Sequence, residues 1–337
     1  MVIEKYVVSK DDGIYEAWPD LVQTDSGKLI CVFAECTHHI DRNEARLVLR
    51  ESRDRGRTWS PKRYLTDKGT RDNYFNCPRI TKLRDGRLAI TCDRVHGGFD
   101  SADKAELYLW YGDGEGESWQ APLVYPFRGI VPDKLVQLES GRLILSNHRT
   151  VPETGKPAQH LWYSDDGGQS WSQEVTVASD ARYELCEGCI LDCGGNILVA
   201  FLRENSKLGY DILKTISYDG GESWSDLIPT AMACGHRPTA GFLQDESVMV
   251  TYRFIPVTAQ NVFAAFFSKE TALMTERPKR GLRILPLDYD RNAVPDLGYT
   301  GWTQFPDGEI YVVNYIKDDS DKAHIRGYSF YPQDVML

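Results

Sequence analysis

No run of about 18 apolar residues occurs in this chain, so no segment reads as a membrane-spanning helix and no membrane partner is expected. No long stretch carries apolar residues at helical spacing, which removes coiled coils and helical bundles from consideration. Linkers, low-complexity tracts and blocks of like charge are also missing, and one domain over residues 1–337 is the expectation. Basic residues are the minority. Against 49 Asp and Glu stand 39 Lys and Arg, a net charge of −10 that speaks against a nucleic-acid partner, which would want a broad basic face. The opening residues, MVIEKYVVSKDDG, contain no apolar core of a signal peptide. A cytoplasmic location is therefore the default, and a secreted or periplasmic one requires that a signal was removed. Of eight cysteines, Cys186 and Cys189 invite a metal reading, but residues three apart on a strand point to opposite faces and no second pair offers itself. No metal and no cofactor are expected, and the cysteines within strands serve as small hydrophobes.

What the chain does have is repetition. Four runs end in Gly-x-Ser/Thr-Trp: SRDRGRTW (52–59), YGDGEGESW (111–119), SDDGGQSW (164–171) and SYDGGESW (217–224). Each reads as a hairpin turn in which Asp bonds its own backbone, Gly takes the left-handed conformation and Trp packs between adjacent sheets. In the second run Asp113 sits one residue too far from Trp119. A second signal, apolar strand, Asp/Ser-Gly turn, apolar strand, occurs six times, with turns at Gly27, Gly86, Gly141, Gly195, Glu246 and Gly308. Each interval has room for four strands. After the irregular Glu246 turn, the Trp-ended run has decayed into SKETALMTERPKRG. Plentiful Gly (28), Tyr (18) and Trp (8) agree with an all-β chain. The fold class expected is a six-bladed β-propeller of four-stranded antiparallel blades, closed by EKYVV pairing with AHIRGYSFY.

The Trp-ended runs resemble the Asp-box, or BNR repeat, Ser-x-Asp-x-Gly-x-Thr-Trp, of sialidases and related β-propellers.

Geometry says where chemistry can lie. In an up-and-down blade, the start of the innermost strand and the end of the next lie on one side of the disc, near its axis. Residues eight before each turn are Pro19, Pro78, Asp133, Glu187, Pro238 and Thr300, flanked among others by Trp18, Arg237 and Tyr299. Eight after, three successive blades place arginine, Arg94, Arg149 and Arg203, and Arg253 lies close to that phase on the fifth. Such arginines can pair with Glu35, Glu184, Glu187 and Glu204 in a structural network, or form a funnel for a carboxylate or sulfate. Five of the seven histidines, His38, His39, His96, His148 and His236, fall in predicted mouth loops.

The resemblance extends to site residues. FAECTHHIDRNEARLVLR is similar to the sialidase segment carrying the catalytic acid/base, which the match puts at Asp41. Glu187 matches the family's glutamate and Arg203 one of its carboxylate-binding arginines, and GYTGWTQFPDGEIYVVNY puts Tyr299 at the tyrosine nucleophile. The resemblance implies a glycoside hydrolase in which Glu187 takes the Tyr299 proton and Asp41 protonates the leaving oxygen. Two departures stand out. Ala17-Trp18-Pro19 replaces the family's Arg-Ile-Pro, and Gln260 or Asn261 stands where a third arginine is expected. Trp18 is then expected to stack on a sugar face, with Arg94, Arg149, Arg237 and Arg253, helped by His148 and His236, holding a displaced carboxylate. The expected partner is an acidic glycan ending in sialic or uronic acid. The alternatives are a uronate lyase using Tyr and His in the same funnel, and a non-catalytic carbohydrate-binding propeller.

Overall fold

The computed structural model describes residues 3–98 and 104–335. Strand β1 (Glu4–Ser9) opens the chain and the first blade follows, β2 (Tyr15–Gln23), β3 (Leu29–Cys36), β4 (Arg46–Ser52) and β5 (Arg63–Tyr64). In the second blade a break divides the inner strand into β6 (Asn73–Phe75) and β7 (Arg79–Lys82), both paired with β8 (Leu88–His96), beyond which lie β9 (Glu106–Gly112) and β10 (Leu123–Tyr125). The third blade is β11 (Val136–Gln137), β12 (Leu143–Val151), β13 (Lys156–Ser164) and β14 (Val175–Ala178). The fourth is β15 (Leu185–Asp192), β16 (Leu198–Glu204), β17 (Asp211–Ser217) and β18 (Ile228–Ala233). The fifth is β19 (Gly235–Phe242), β20 (Val248–Phe254), β21 (Asn261–Phe267), a short helix α1 (Lys269–Leu273) and β22 (Arg283–Tyr289). The sixth is β23 (Leu297–Gln304), β24 (Ile310–Ile316) and β25 (His324–Phe330), completed by β1 and followed by α2 (Pro332–Val335). The expected closure is therefore formed, with Glu4 opposite Ser329 and Val7 opposite Arg326.

Five of the inner hairpins turn at the expected residues with positive φ, from 63° at Glu246 to 92° at Gly141; in the fourth, Gly195 (61°) is in the turn but the equivalent place belongs to Asn196 (65°). Glu246 holds this conformation at 63° without being glycine, which is why the fifth turn is the irregular one in sequence.

The Asp-boxes lie at the same end of the disc as these turns. In the first, the Asp54 carboxylate accepts from Thr58 N–H (2.9 Å), Thr58 Oγ (2.6 Å) and Ser52 Oγ (2.8 Å), and Trp59 Nε1 donates to Gly56 O (3.1 Å). The second box does the same work from its displaced position: Asp113 accepts from the backbone N–H of Glu115, Glu117 and Ser118 and from Ser118 Oγ. Each box leans on the blade before it. Trp59 packs on Tyr311, Glu115 accepts from Thr24 and Ser26, Trp171 packs on Tyr125, and Arg142 donates to Gly220 O and Glu222. In the fifth blade α1 replaces the box, and Lys214 of the fourth blade donates to its Ala272 carbonyl.

At the axis, two buried arginines tie the blades together. Arg79, on the second, donates to Pro19 O (3.3 Å), Thr239 Oγ1 (3.2 Å) and Thr300 O (3.1 Å), on the first, fifth and sixth. Arg237, on the fifth, reaches Glu187 O (3.3 Å), Gly188 O (3.2 Å) and Pro132 O (3.4 Å), at the fourth and third. Between them these guanidiniums touch all six blades.

Candidate active site

The mouth is built by one repeated irregularity. The inner strands of the first, fourth, fifth and sixth blades each carry an extra residue, between Ala17 and Asp20, Cys186 and Cys189, His236 and Thr239, and Gly298 and Gly301. At each bulge one non-glycine residue has positive φ: Trp18 (57°), Glu187 (46°), Arg237 (48°) and Tyr299 (52°). Such conformations cost on the order of 1–3 kcal/mol each, and they persist where packing over-determines them. The bulges re-aim four side chains at the axis, where an ordinary pleat would alternate them between faces.

Three of the expected site residues meet. Tyr299 donates its phenol proton to Glu187 Oε1 (2.6 Å), and Glu187 Oε2 lies 2.7 Å from Arg203 Nη1. Both Tyr299 and Glu187 are 6% exposed. Burial opposes the Glu187 charge, but Arg203, then Arg253 and His148, outweigh it and hold the carboxyl far below its usual range. Burial, then the Glu187 charge, pushes the Tyr299 phenol well above its ordinary value. The resting proton therefore sits on tyrosine, hydrogen-bonded to a carboxylate ready to receive it.

Arg203 also lines a cavity of about 820 Å³, together with Lys207, His236, Arg253, Gln260, Asp296 and His39 among others; Tyr299 and Glu187 are not among its lining residues. That volume suits one or two sugar rings. Arg253 donates to Leu297 O (3.0 Å), and its Nε has no partner among the described residues. His236 is buried, and desolvation, then Arg203 and Arg253, lowers it to about 2, so the imidazole is neutral at physiological pH. Gln260, at the position expected for a third arginine, brackets the backbone instead, donating to Pro295 O and accepting from Leu297 N–H.

The other expected residues lie elsewhere. Arg237 is fully buried, spends its guanidinium on carbonyl oxygens and underlies the Tyr299 ring (5.4 Å), so it supports the site rather than facing a ligand. Arg149 pairs with Glu174 (2.6 Å), and Arg94 bonds Asn73 (2.8 Å) and covers Phe75; neither lines the cavity. His148 is buried and accepts the Glu187 N–H at Nδ1 (3.2 Å), a contact that fixes the bulge. Trp18 is buried beneath Arg42, whose guanidinium lies 3.5 Å over the indole, and that face is closed to a sugar. Arg42 is itself buried, with Nε and Nη1 unpartnered among the described residues. A guanidinium thus lies over Trp18, next to Ala17, where the resemblance expects an arginine, and it is supplied by a loop instead of the inner strand.

Asp41 faces away. Its carboxylate pairs with Arg71 (3.3 Å), a side chain 74% exposed, and accepts from Asn43 N–H (3.2 Å). The Arg71 hydrogen bond, then that of Asn43, lowers its pKa, the wrong direction for a group that must hold a proton to deliver it.

Asp296 went unnoticed in the sequence. It lies three residues before Tyr299 and accepts from Tyr15 OH, Tyr315 OH (3.1 Å) and His39 Nδ1 (2.8 Å). A carboxylate so close to the tyrosine was a signal, but it sits in a loop that no repeat marks.

The sequence between residues 95 and 259 matches the family model described as a BNR repeat-like domain. A sialidase from Clostridium perfringens is 23% identical over 184 residues, which cover 45% of this chain and 48% of that protein. The chain thus spans about half the length of the curated relatives it matches. Among solved structures, a protein of unknown function from Dyadobacter fermentans superposes with a TM-score of 0.79 at 20% identity, covering 97% of this chain and 98% of that one. Hadza microbial sialidase Hz136 superposes at 0.74 with 16% identity, covering 98% and 69%. The chain is thus a six-bladed β-propeller with Asp-box turns, similar over residues 95–259 to BNR repeat-like domains and, in part of its sequence, to sialidases.

Proposed function

We propose that this propeller is a glycoside hydrolase that removes an acidic sugar, sialic or uronic acid, from the end of a glycan. The observation that carries this reading is the chain Tyr299 OH, Glu187, Arg203, joined by contacts of 2.6 and 2.7 Å, whose last member lines a cavity together with Arg253. Tyr299 is the nucleophile. A neutral phenol approaches an anomeric centre that bears a carboxylate without the repulsion an anionic nucleophile would meet. As its oxygen forms the new bond it becomes strongly acidic, and Glu187 takes the proton.

Substrate helps that transfer. Arg203 and Arg253 receive the sugar carboxylate, each charge-assisted bond contributing about 1.5–3 kcal/mol. An arginine shared with a second anion holds Glu187 less firmly, and its basicity rises when a ligand is present. Ala17 and Gln260, standing where the resemblance expects arginines, favour a carboxylate placed differently from that of an ordinary sialidase substrate. The place of His236 in the cavity with Arg203 and Arg253 supports a second reading, proton abstraction next to a neutralised carboxylate followed by β-elimination, although its lowered pKa makes it a weak base.

The test is a cleavage screen of wild type and Tyr299→Phe on sialosides and uronate-terminated oligosaccharides, read by mass spectrometry. The hydrolase reading expects a free acidic sugar, with release lost in the variant. A product lighter by one water selects elimination. Binding without turnover marks a carbohydrate-binding propeller and ends the enzymatic reading.

A further inference from the structure

Resting on the hydrolase reading, we infer that the proton to the leaving group is delivered by His39, oriented by Asp296, and not by Asp41. The tight turn His38–Asp41, closed by reciprocal backbone bonds between its ends (2.9 and 3.1 Å), sends neighbouring side chains in different directions. Asp41 goes to Arg71 at the solvent side, whereas His39 and Asp296 line the cavity that also holds Arg203 and Arg253.

The geometry fixes the imidazole. Asp296 Oδ2 receives the Tyr15 hydroxyl proton and lies 2.8 Å from His39 Nδ1, and its Oδ1 receives the Tyr315 hydroxyl proton. A carboxylate can only accept, so Nδ1 carries a hydrogen. The ring stands edge-on to Trp18 (5.5 Å, 78°) and Tyr15 (5.9 Å, 70°), which sets its plane. Nε2 is left without a protein partner among the described residues, on a side chain 34% exposed. A ring nitrogen anchored to a carboxylate with the other facing a substrate cavity is the arrangement of an oriented proton-transfer group.

The step balances with water alone. The Tyr299 oxygen bonds to the anomeric carbon and its proton passes to Glu187. The bond from that carbon to the glycosidic oxygen breaks, its electron pair staying on oxygen, which takes the proton from His39 Nε2. In the second half Nε2 accepts a proton from the water that attacks the anomeric carbon. The carbon–Tyr299 bond then breaks, its pair returns to the phenol oxygen, and Glu187 gives its proton back. Asp296 is a positioning residue: it keeps hydrogen on Nδ1 and offsets the charge while His39 holds both protons.

Leaving-group dependence separates this role from a structural one. A nitrophenol departs without protonation, whereas a sugar hydroxyl requires it. The probes are the 4-nitrophenyl glycoside and a disaccharide glycoside of one acidic sugar, compared for wild type, His39→Gln, Asp296→Asn, Asp41→Asn and Tyr299→Phe. For His39→Gln and Asp296→Asn, kcat on the disaccharide falls by about 10²-fold or more, the size of a general-acid contribution, while kcat on the nitrophenyl substrate falls less than about tenfold. Asp41→Asn shows no such split, and Tyr299→Phe loses both substrates. A split in Asp41→Asn with none in His39→Gln overturns the His39 assignment and leaves the hydrolase reading standing. Retention of both substrates by Tyr299→Phe, or no turnover by wild type, overturns the hydrolase reading and this inference with it.

Discussion

The two faces of the disc are made from the same repeat and obey different rules. At the turn face every blade solves one problem, how to reverse a strand and lean on its neighbour, and it does so with few residue types. Asp54, Asp113, Asp166 and Asp219 accept from a following hydroxyl and backbone N–H, even where the spacing slips by one residue. At the mouth face equivalent positions hold Trp18, Glu187, Arg237 and Tyr299, all strained alike and chemically unrelated. Uniform local hydrogen bonding maintains the scaffold; shared strain with divergent side chains makes the site.

Arg237 offers the sharpest way to break this comparison, because it lies at the mouth and does scaffold work. Arg237→Ala leaves three carbonyl oxygens on the third and fourth blades without their donor, and the expected loss is about 3–5 kcal/mol, as for other disrupted buried networks. Arg149→Ala, which removes a rim ion pair, costs under about 1 kcal/mol. Urea unfolding of both variants checks this, and equal losses would remove the distinction between hub and rim.

A smaller effect sharpens the other face. Asp54→Ala is expected to cost about 1 kcal/mol, the size of a lost helix cap, whose bonding it imitates. The four box carboxyls stand at about 2 in the fold. For Asp54 and Asp219, burial works against this and the hydroxyl and backbone bonds override it; for Asp113 and Asp166, the bonds from Ser118 and Ser170 lead. A carboxyl depressed below its unfolded value of about 3.9 stabilises the fold fully above that pH and loses its contribution as pH falls toward 2. Melting temperatures should therefore drop between about pH 4 and 2, with the gap between wild type and Asp54→Ala closing over the same range. A flat profile there would show that the boxes do not stabilise through their charge.

The contrast also explains what was legible. Hairpins and boxes recur, so blade number, ring closure and five of the turn residues could be read directly, Glu246 included, while the double glycine at Gly194 and Gly195 drew the fourth one residue short of Asn196. The mouth was read by counting eight residues from each turn, and in the fourth blade the count started one residue early: Cys193 N–H bonds Ile197 O as Thr24 N–H bonds Lys28 O, so Asn196 holds the place of Gly27, and Glu187 falls with Trp18 and Gly188 with Pro19. Arg94 and Arg149 have the expected phase, yet a long side chain at a strand end goes to the nearest acceptor or ring, here Asn73 with Phe75, and Glu174. Glu187, Arg203 and, beside the count, Tyr299 were marked by strand geometry, but their grouping into one site came from resemblance, which carries spatial information that strand patterns lack. Asp296, His39 as its partner, and Arg42 over Trp18 depend on loop conformation, on which periodicity is silent.

The central claim is that the strained mouth residue Tyr299 bonds covalently to substrate. Its most direct test is to incubate the protein with a fluorinated form of the acidic sugar, activated by a good leaving group, and map the modified peptide by mass spectrometry. The account predicts a single added sugar on the peptide containing Tyr299, absent in Tyr299→Phe. A sugar attached to a different residue, or wild-type rates of glycan cleavage by Tyr299→Phe, would contradict it.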